Sequence, residues 1–270
     1  MNSTSSRSTI QWMNLIAVFA TIFVNIIANA LPLNGRLTYE ISDFYPNLFT
    51  PPGYVFAIWL IIYILLIVFA LYQFRSSERD KEYLQKIGPL YMIGALFNIA
   101  WIFTFHYSYG VPELFVLTEF LIVGLLVTLL LTYIRLGIGV KGTTRNEKLS
   151  VHLPVSVYLG WISLATIAST ASVLNLLIPG IPLATQEFWT AAVIIVALLI
   201  TLLMLFLRHD FAFGLVVIWA ALGITTYRSA IPIIYFAGLG TVILVASTIL
   251  ILPFLKKSGF LDYYMVKSDE

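Results

Sequence analysis

The stretch FWTAAVIIVALLITLLMLFL-RHD-FAFGLVVIWAALGITTY-RSA-IPIIYFAGLGTVILVASTILILPFL, from Phe188 to Leu255, decides the fold class. Its three apolar runs, 188–207, 211–227 and 231–255, are separated only by Arg208-His209-Asp210 and Arg228-Ser229-Ala230. A helix needs about 20 mainly apolar residues to cross the hydrocarbon of a bilayer. The outer two runs meet that length, and the middle one is short. Working outward, five more runs recur along the chain: Thr9–Ala30, Tyr54–Phe74, Ile87–Phe105, Pro112–Ile134 and Val151–Val173. With 60% hydrophobic and 10% charged residues, the chain lacks the charged surface that a soluble domain of 270 residues needs. The pattern predicts an all-α polytopic membrane bundle of eight transmembrane helices.

Charge placement tests this count. With the N-terminus in the cytoplasm, Arg7, Arg75, Arg79, Lys81, Lys86, Arg135, Lys141, Arg145, Lys148, Arg208, Lys256, Lys257 and Lys267 all fall inside. Only Arg36 and Arg228 fall outside. This is the asymmetry of the positive-inside rule, and it predicts a multi-pass protein of the cell membrane with both termini cytoplasmic. Dropping the short seventh span would strand Lys256 and Lys257 outside. An alternative reading of the first run is a cleavable signal sequence ending at Ala28-Asn29-Ala30, although Asn14 and Asn25 interrupt its apolar core.

Polar residues within the spans form faces. At 100° per residue, Asn14, Thr21, Asn25 and Asn29 lie within about 80° on the first helix, a stripe suited either to interhelical hydrogen bonds or to lining a ligand site. Pro52, Phe56, Trp59 and Tyr63 share a face of the second helix. Tyr91, Gly94, Asn98, Trp101 and Phe105 do so on the third, and Tyr158, Trp161, Ala165, Ser169 and Ser172 on the fifth. Each stripe alone reads equally well as packing; three that set Trp beside small or hydrogen-bonding residues suit an aromatic-walled pocket with a few polar anchors.

Phe49-Thr50-Pro51-Pro52-Gly53-Tyr54-Val55-Phe56-Ala57-Ile58-Trp59, with Tyr63 one turn on, resembles the start of the second helix in the TspO/MBR family. These are the tryptophan-rich sensory proteins related to the mitochondrial translocator protein. Asn98-Ile99-Ala100-Trp101 is similar to that family's third-helix motif, and Tyr158-Leu159-Gly160-Trp161 followed by Asn175 to its fifth-helix motif. The resemblance covers about residues 9–176, so it implies a five-helix core over 1–176 and three additional helices with a short tail over 177–270. It implies a sensory or regulatory protein, not an enzyme, that holds a flat hydrophobic ligand such as a tetrapyrrole. The ligand would sit between helices one, two, three and five under the loop 31–51. The residues it assigns to that pocket are Phe56, Trp59, Tyr63, Asn98, Trp101, Tyr158, Trp161 and Asn175; the polar stripe adds Asn25. Where family members carry tryptophans in the capping loop, this chain has Tyr39, Phe44, Tyr45 and Phe49.

The other chemistry is sparse. No glycine-rich phosphate loop, His-Glu-x-x-His or nucleophile elbow occurs, so no cofactor is expected beyond the tetrapyrrole-like ligand; the formal charge of +2 is too small to argue for nucleic acid, and the absence of cysteine removes disulfides and thiolate sites. His106, His152 and His209 sit at span ends in separate segments. Glu119 is the carboxylate most plainly inside a span, and with the Asn stripe it supports an alternative reading as a secondary transporter. Leu131-Thr132-Tyr133-Ile134-Arg135 and Leu261 through Tyr264 to Lys267 match a loose sterol-contact pattern. Expected partners are the lipid bilayer and a hydrophobic small molecule, with homo-oligomerisation left open.

Overall fold

The computed structural model describes residues 2–75 and 82–265, with side chains for 9–75 and 82–264. Arg79, Lys81, Lys267 and the Arg7 side chain, which entered the orientation argument, lie outside the described residues, as does the end of the second sterol-contact pattern. Eight long helices carry the fold: α1 (Asn2–Ala30), α2 (Ile58–Arg75), α3 (Leu90–Tyr107), α4 (Pro112–Leu136), α5 (Leu153–Leu177), α6 (Leu183–Arg208), α7 (Phe211–Tyr227) and α8 (Pro232–Leu255). Among the described residues no strand occurs.

Seven of these regions are long and apolar enough to cross a membrane; α7, with 17 residues, is shorter. It rises about 26 Å against a hydrocarbon core of about 30 Å. Even so, α7 runs the full height of the bundle. Below it, Asp210 accepts a 2.9 Å hydrogen bond from the hydroxyl of Tyr133, near the end of α4. Above it, Arg228 donates to the carbonyls of Asn47 and Leu48 in the loop after α1. The polytopic helical bundle expected from the sequence is therefore what forms.

Helix ends follow local chemistry. Pro112 and Pro232 open α4 and α8 at positions whose N–H has no intrahelical partner. Gly137, at φ 67°, closes α4 in the left-handed conformation. His209 closes α6 at φ 51°, and Asp210 then caps α7 by accepting from the Phe213 amide at 3.1 Å. That reversal fits two spans around a two-residue turn, His209-Asp210. Ile87 departs from expectation: it ends a separate short helix, Glu82–Ile87, because Gly88 and Pro89 break the chain before α3 begins.

The α3–α4, α7–α8 and α4–α5 pairs pack most extensively, and α7 also contacts α5 and α6. One apolar core runs through both halves of the chain, joining Ile58, Trp101 and Trp161 to Phe213, Val217, Ala220, Ile224 and Ile234. The Asn stripe of α1 serves as interhelical glue. Asn14 Nδ2 lies 3.4 Å from Gln73 Oε1 on α2, Asn25 Nδ2 donates to Asn98 Oδ1 on α3 at 2.6 Å, and Asn29 Oδ1 accepts from Thr38 Oγ1 at 2.9 Å. Without water in the bilayer core, these amides must find partners on neighbouring helices.

A close approach fixes α7. A Cβ on Gly223 would lie 2.4 Å from Val55 Cγ2, and the Trp219 indole donates to the Val55 carbonyl at 2.9 Å. Gly223→Val should therefore push α7 away from the start of α2 and cost about 1–3 kcal/mol, as overpacking does. Thermal unfolding in detergent would show this as a lower melting temperature, while the same change at Gly240, which has open space around it, should leave melting nearly unchanged.

Candidate aromatic binding site

Trp59, Trp101 and Trp161 converge. The Trp59 ring stands 6.5 Å from Trp101 in a stacked arrangement and 6.3 Å from Trp161 edge-to-face. Phe56 meets Trp161 at 5.8 Å, and Phe105 stacks on Trp101 at 5.0 Å. Such pairs contribute about 0.5–1.5 kcal/mol each beyond their burial. Beside them lies a cavity of about 70 Å³. Its wall takes Phe56 and Trp59 from the α2 segment, Trp101 and Phe105 from α3, and Trp161, Ala165, Ser169 and Ser172 from α5. These are the faces that helical spacing singled out. The Nε1 groups of Trp101 and Trp161 are buried and have no hydrogen-bond partner, an unusual state for a buried donor.

The remaining residues assigned from sequence divide into three groups. Asn25, Asn98 and Tyr158 form a buried chain beside the cavity: Asn25 Nδ2 donates to Asn98 Oδ1 at 2.6 Å, and Asn98 Nδ2 to the Tyr158 hydroxyl at 2.7 Å. These three are not in the cavity wall. Tyr63 stacks on Trp59 at 5.7 Å, one turn away from the wall. Asn175 stands at the end of the bundle, where its Nδ2 donates to the Pro46 carbonyl at 3.1 Å, and it does not reach the cavity. Helix α1 adds no lining residue, whereas Phe115 and Ile122 of α4 and Ala220 and Ile224 of α7 do. The pocket thus lies among α2, α3, α4, α5 and α7, and α1 supports it from behind.

The loop after α1 closes the cavity with Thr38, Ser42, Phe49, Thr50 and Pro51. Its hub is Asn47, 5% exposed, a residue the sequence reading passed over. Asn47 Oδ1 accepts from the amides of Phe49 and Thr50 at 2.8 and 2.7 Å, and its Nδ2 donates to Ser172 Oγ at 2.7 Å. Arg228, which reads in sequence as a plain turn charge, instead clamps this loop: Nη2 donates to the Asn47 carbonyl at 2.8 Å and Nε to the Leu48 carbonyl at 3.1 Å. The Asx-turn pattern Asn47-Leu48-Phe49-Thr50 was a readable signal for the hub; no local pattern announces Arg228.

A family model described as TSPO-like protein matches residues 11–251. The chain belongs to the TSPO-like family. The matched stretch runs past residue 176, where the motif resemblance stops, and takes in α6, α7 and most of α8. No curated protein matches the chain, and no solved structure does.

Other singled-out groups of this TSPO-like chain have structural partners. His106 is buried, with Nδ1 3.2 Å from the Leu33 carbonyl and Nε2 3.2 Å from Thr38 Oγ1; because a carbonyl only accepts, Nδ1 carries the proton and the ring ties α3 to the capping loop. Glu119 Oε1 accepts from Thr170 at 2.6 Å, and Glu119 is not a cavity residue. Tyr133, the centre of the first sterol-contact pattern, is 2% exposed and turned inward onto Asp210, so it does not face lipid.

The cap depends on the guanidinium fork. Arg228→Ala should raise amide hydrogen exchange of residues 47–50 by about tenfold or more, since two hydrogen bonds to a charged donor are lost. Arg228→Lys should recover only part of the protection, because an ammonium lacks the fork. Unchanged exchange in both variants would show that the clamp does not hold the loop.

Proposed function

We propose that this protein is an integral membrane sensor or regulator that holds a flat hydrophobic ligand, porphyrin-like in shape, in the cavity walled by Trp59, Trp101 and Trp161. Membership of the TSPO-like family supports a ligand-binding membrane protein. The observation that carries the reading is the convergence of three indoles on one apolar cavity, two of them with unused N–H donors. A flat conjugated ring would stack on these faces and accept from those donors.

Size adds a condition. The cavity, at about 70 Å³, is well below the roughly 300–1,000 Å³ of small-molecule sites. A ligand as large as a tetrapyrrole enters by displacing the capping loop and swinging half-buried Phe56 and Trp59. Binding is therefore linked to release of the Asn47–Arg228 clamp, and such linkage is what a sensor needs in order to transmit occupancy. No acid–base pair lines the cavity, so the reading is binding without turnover.

Protoporphyrin titrated into the purified protein should quench tryptophan emission saturably and be recovered unchanged. Trp59→Ala combined with Trp101→Ala should weaken binding by at least about tenfold, since each lost stacking face is worth roughly 1 kcal/mol or more. Quenching that does not saturate, or that the double variant shares, would refute the reading.

We further propose that the protein sits in the cell membrane with both termini cytoplasmic, supported by the basic residues gathered at one end of the bundle. The chain has no cysteine, so single introduced thiols report cleanly. In intact cells an impermeant maleimide should label Ser229→Cys and leave Gly142→Cys unlabelled; the reverse pattern would invert the orientation.

A further inference from the structure

At the end of the bundle opposite the cap lies a cleft of about 350 Å³, within the usual range for a small-molecule site. Residues 138–142 after α4, the approach to α5 at 148–156, the turn 208–212 and the C-terminal segment 258–264 form it. Its walls are built, not loose. Gly139, at φ 76°, lies so close to the Arg208 carbonyl that a Cβ there would come within 1.9 Å of the oxygen, and Arg208 Nη1 donates to the Ile138 carbonyl at 3.3 Å. The C-terminal segment folds back through the Tyr264 hydroxyl, which donates to the Ile249 carbonyl at 2.9 Å, and through Tyr263, edge-on to His209 at 4.8 Å.

The lining is cationic. Lys141, Lys148 and Arg208 bring positive charge, and His152 and His209 stand beside them. Two carboxylates also line the cleft. Asp262 is exposed, and Asp210 is committed inward, one oxygen accepting from Tyr133 and the other from the Phe213 amide. Burial pushes the Asp210 carboxyl above its ordinary value, against hydrogen bonds from the Phe213 amide, Ser156 and Tyr133 that favour the carboxylate. His209 gains a proton less readily than usual, first through burial and then because Lys148 and Lys256 repel the added charge. His152 is only 6% exposed, and its Nε2 makes no hydrogen bond but stands 3.7 Å from Glu147 Oε1, an ion pair whenever the ring is protonated.

We propose that this cleft is a second binding site, separate from the aromatic cavity, for a phosphate-type anion supplied either as a soluble phosphate ester or as the headgroup of an anionic phospholipid. Lys141 and Lys148 would hold the anion, and Phe211 and Tyr263 would cover an attached apolar or aromatic portion.

The test uses the full chain purified in detergent and compares two probes with phosphate chemistry. Pyrophosphate should raise the melting temperature saturably, beyond chloride of equal ionic strength, if the source is soluble. Vesicles of phosphatidylcholine mixed with phosphatidylglycerol should stabilise the protein over phosphatidylcholine alone if the source is a headgroup. Lys141→Gln with Lys148→Gln should raise the half-saturating concentration of the effective probe by at least about tenfold. Lys141→Glu alone, at an exposed position, should do so as well. No stabilisation by either probe, or an equal response in both variants, would overturn the proposal, and neither result bears on protoporphyrin quenching.

Discussion

In hydrocarbon a buried amide has no water to fall back on, and the chain Asn25–Asn98–Tyr158 is the main consequence in this bundle. It joins α1, α3 and α5 through two hydrogen bonds of 2.6 and 2.7 Å. Each such bond contributes only about 0.6 kcal/mol on average in a membrane, but leaving one member unpaired costs about 1–3 kcal/mol. The chain therefore fixes register more than it adds stability. Trp101 follows Asn98 by three residues, and Trp161 follows Tyr158 by three. Residues three apart on a helix are neighbours on one face, so the hydrogen bond that sets the polar pair also sets the two indoles one turn above it. Trp59 then packs against both rings and against Tyr158, whose ring lies 5.9 Å away. The aromatic cavity is a by-product of the polar register.

Helix α7 connects this arrangement to the two ends of the molecule. Asp210 at its foot borders the cationic cleft, its middle supplies Ala220 and Ile224 to the cavity wall, and Arg228 at its top holds the cap. One short helix thus touches every feature to which a function has been given. Any shift of α7 driven by the cap would be felt at Asp210, and from there at Tyr133 on α4. The unbroken apolar core gives that coupling a physical path.

Much of this was legible in the sequence, and the reasons are specific. The spans were readable because hydrocarbon thickness sets their length, and the cavity faces because helical spacing aligned Phe56 with Trp59, Trp101 with Phe105, and Trp161 with Ala165, Ser169 and Ser172. What escaped depends on pairing between distant parts of the chain. Arg228 and Asn47 are 181 positions apart, and nothing near either residue foretells the contact. Asn175 was assigned to the pocket by motif alone, but it bonds to the Pro46 carbonyl and does not line the cavity. Asn25 carries the right chemistry, but its amide is spent on Asn98, so it positions the site from outside the wall. The wall contributed by α7 could not be foreseen either, because an evenly apolar helix shows no preferred face.

Photoaffinity labelling tests the central claim most directly. A diazirine-bearing flat aromatic amphiphile, irradiated with the purified protein and mapped by peptide mass spectrometry, should mark residues in 49–59, 101–115 and 161–172, and excess protoporphyrin should protect them. Labelling confined to lipid-facing positions such as Phe236 and Leu250, which protoporphyrin does not suppress, would contradict the account.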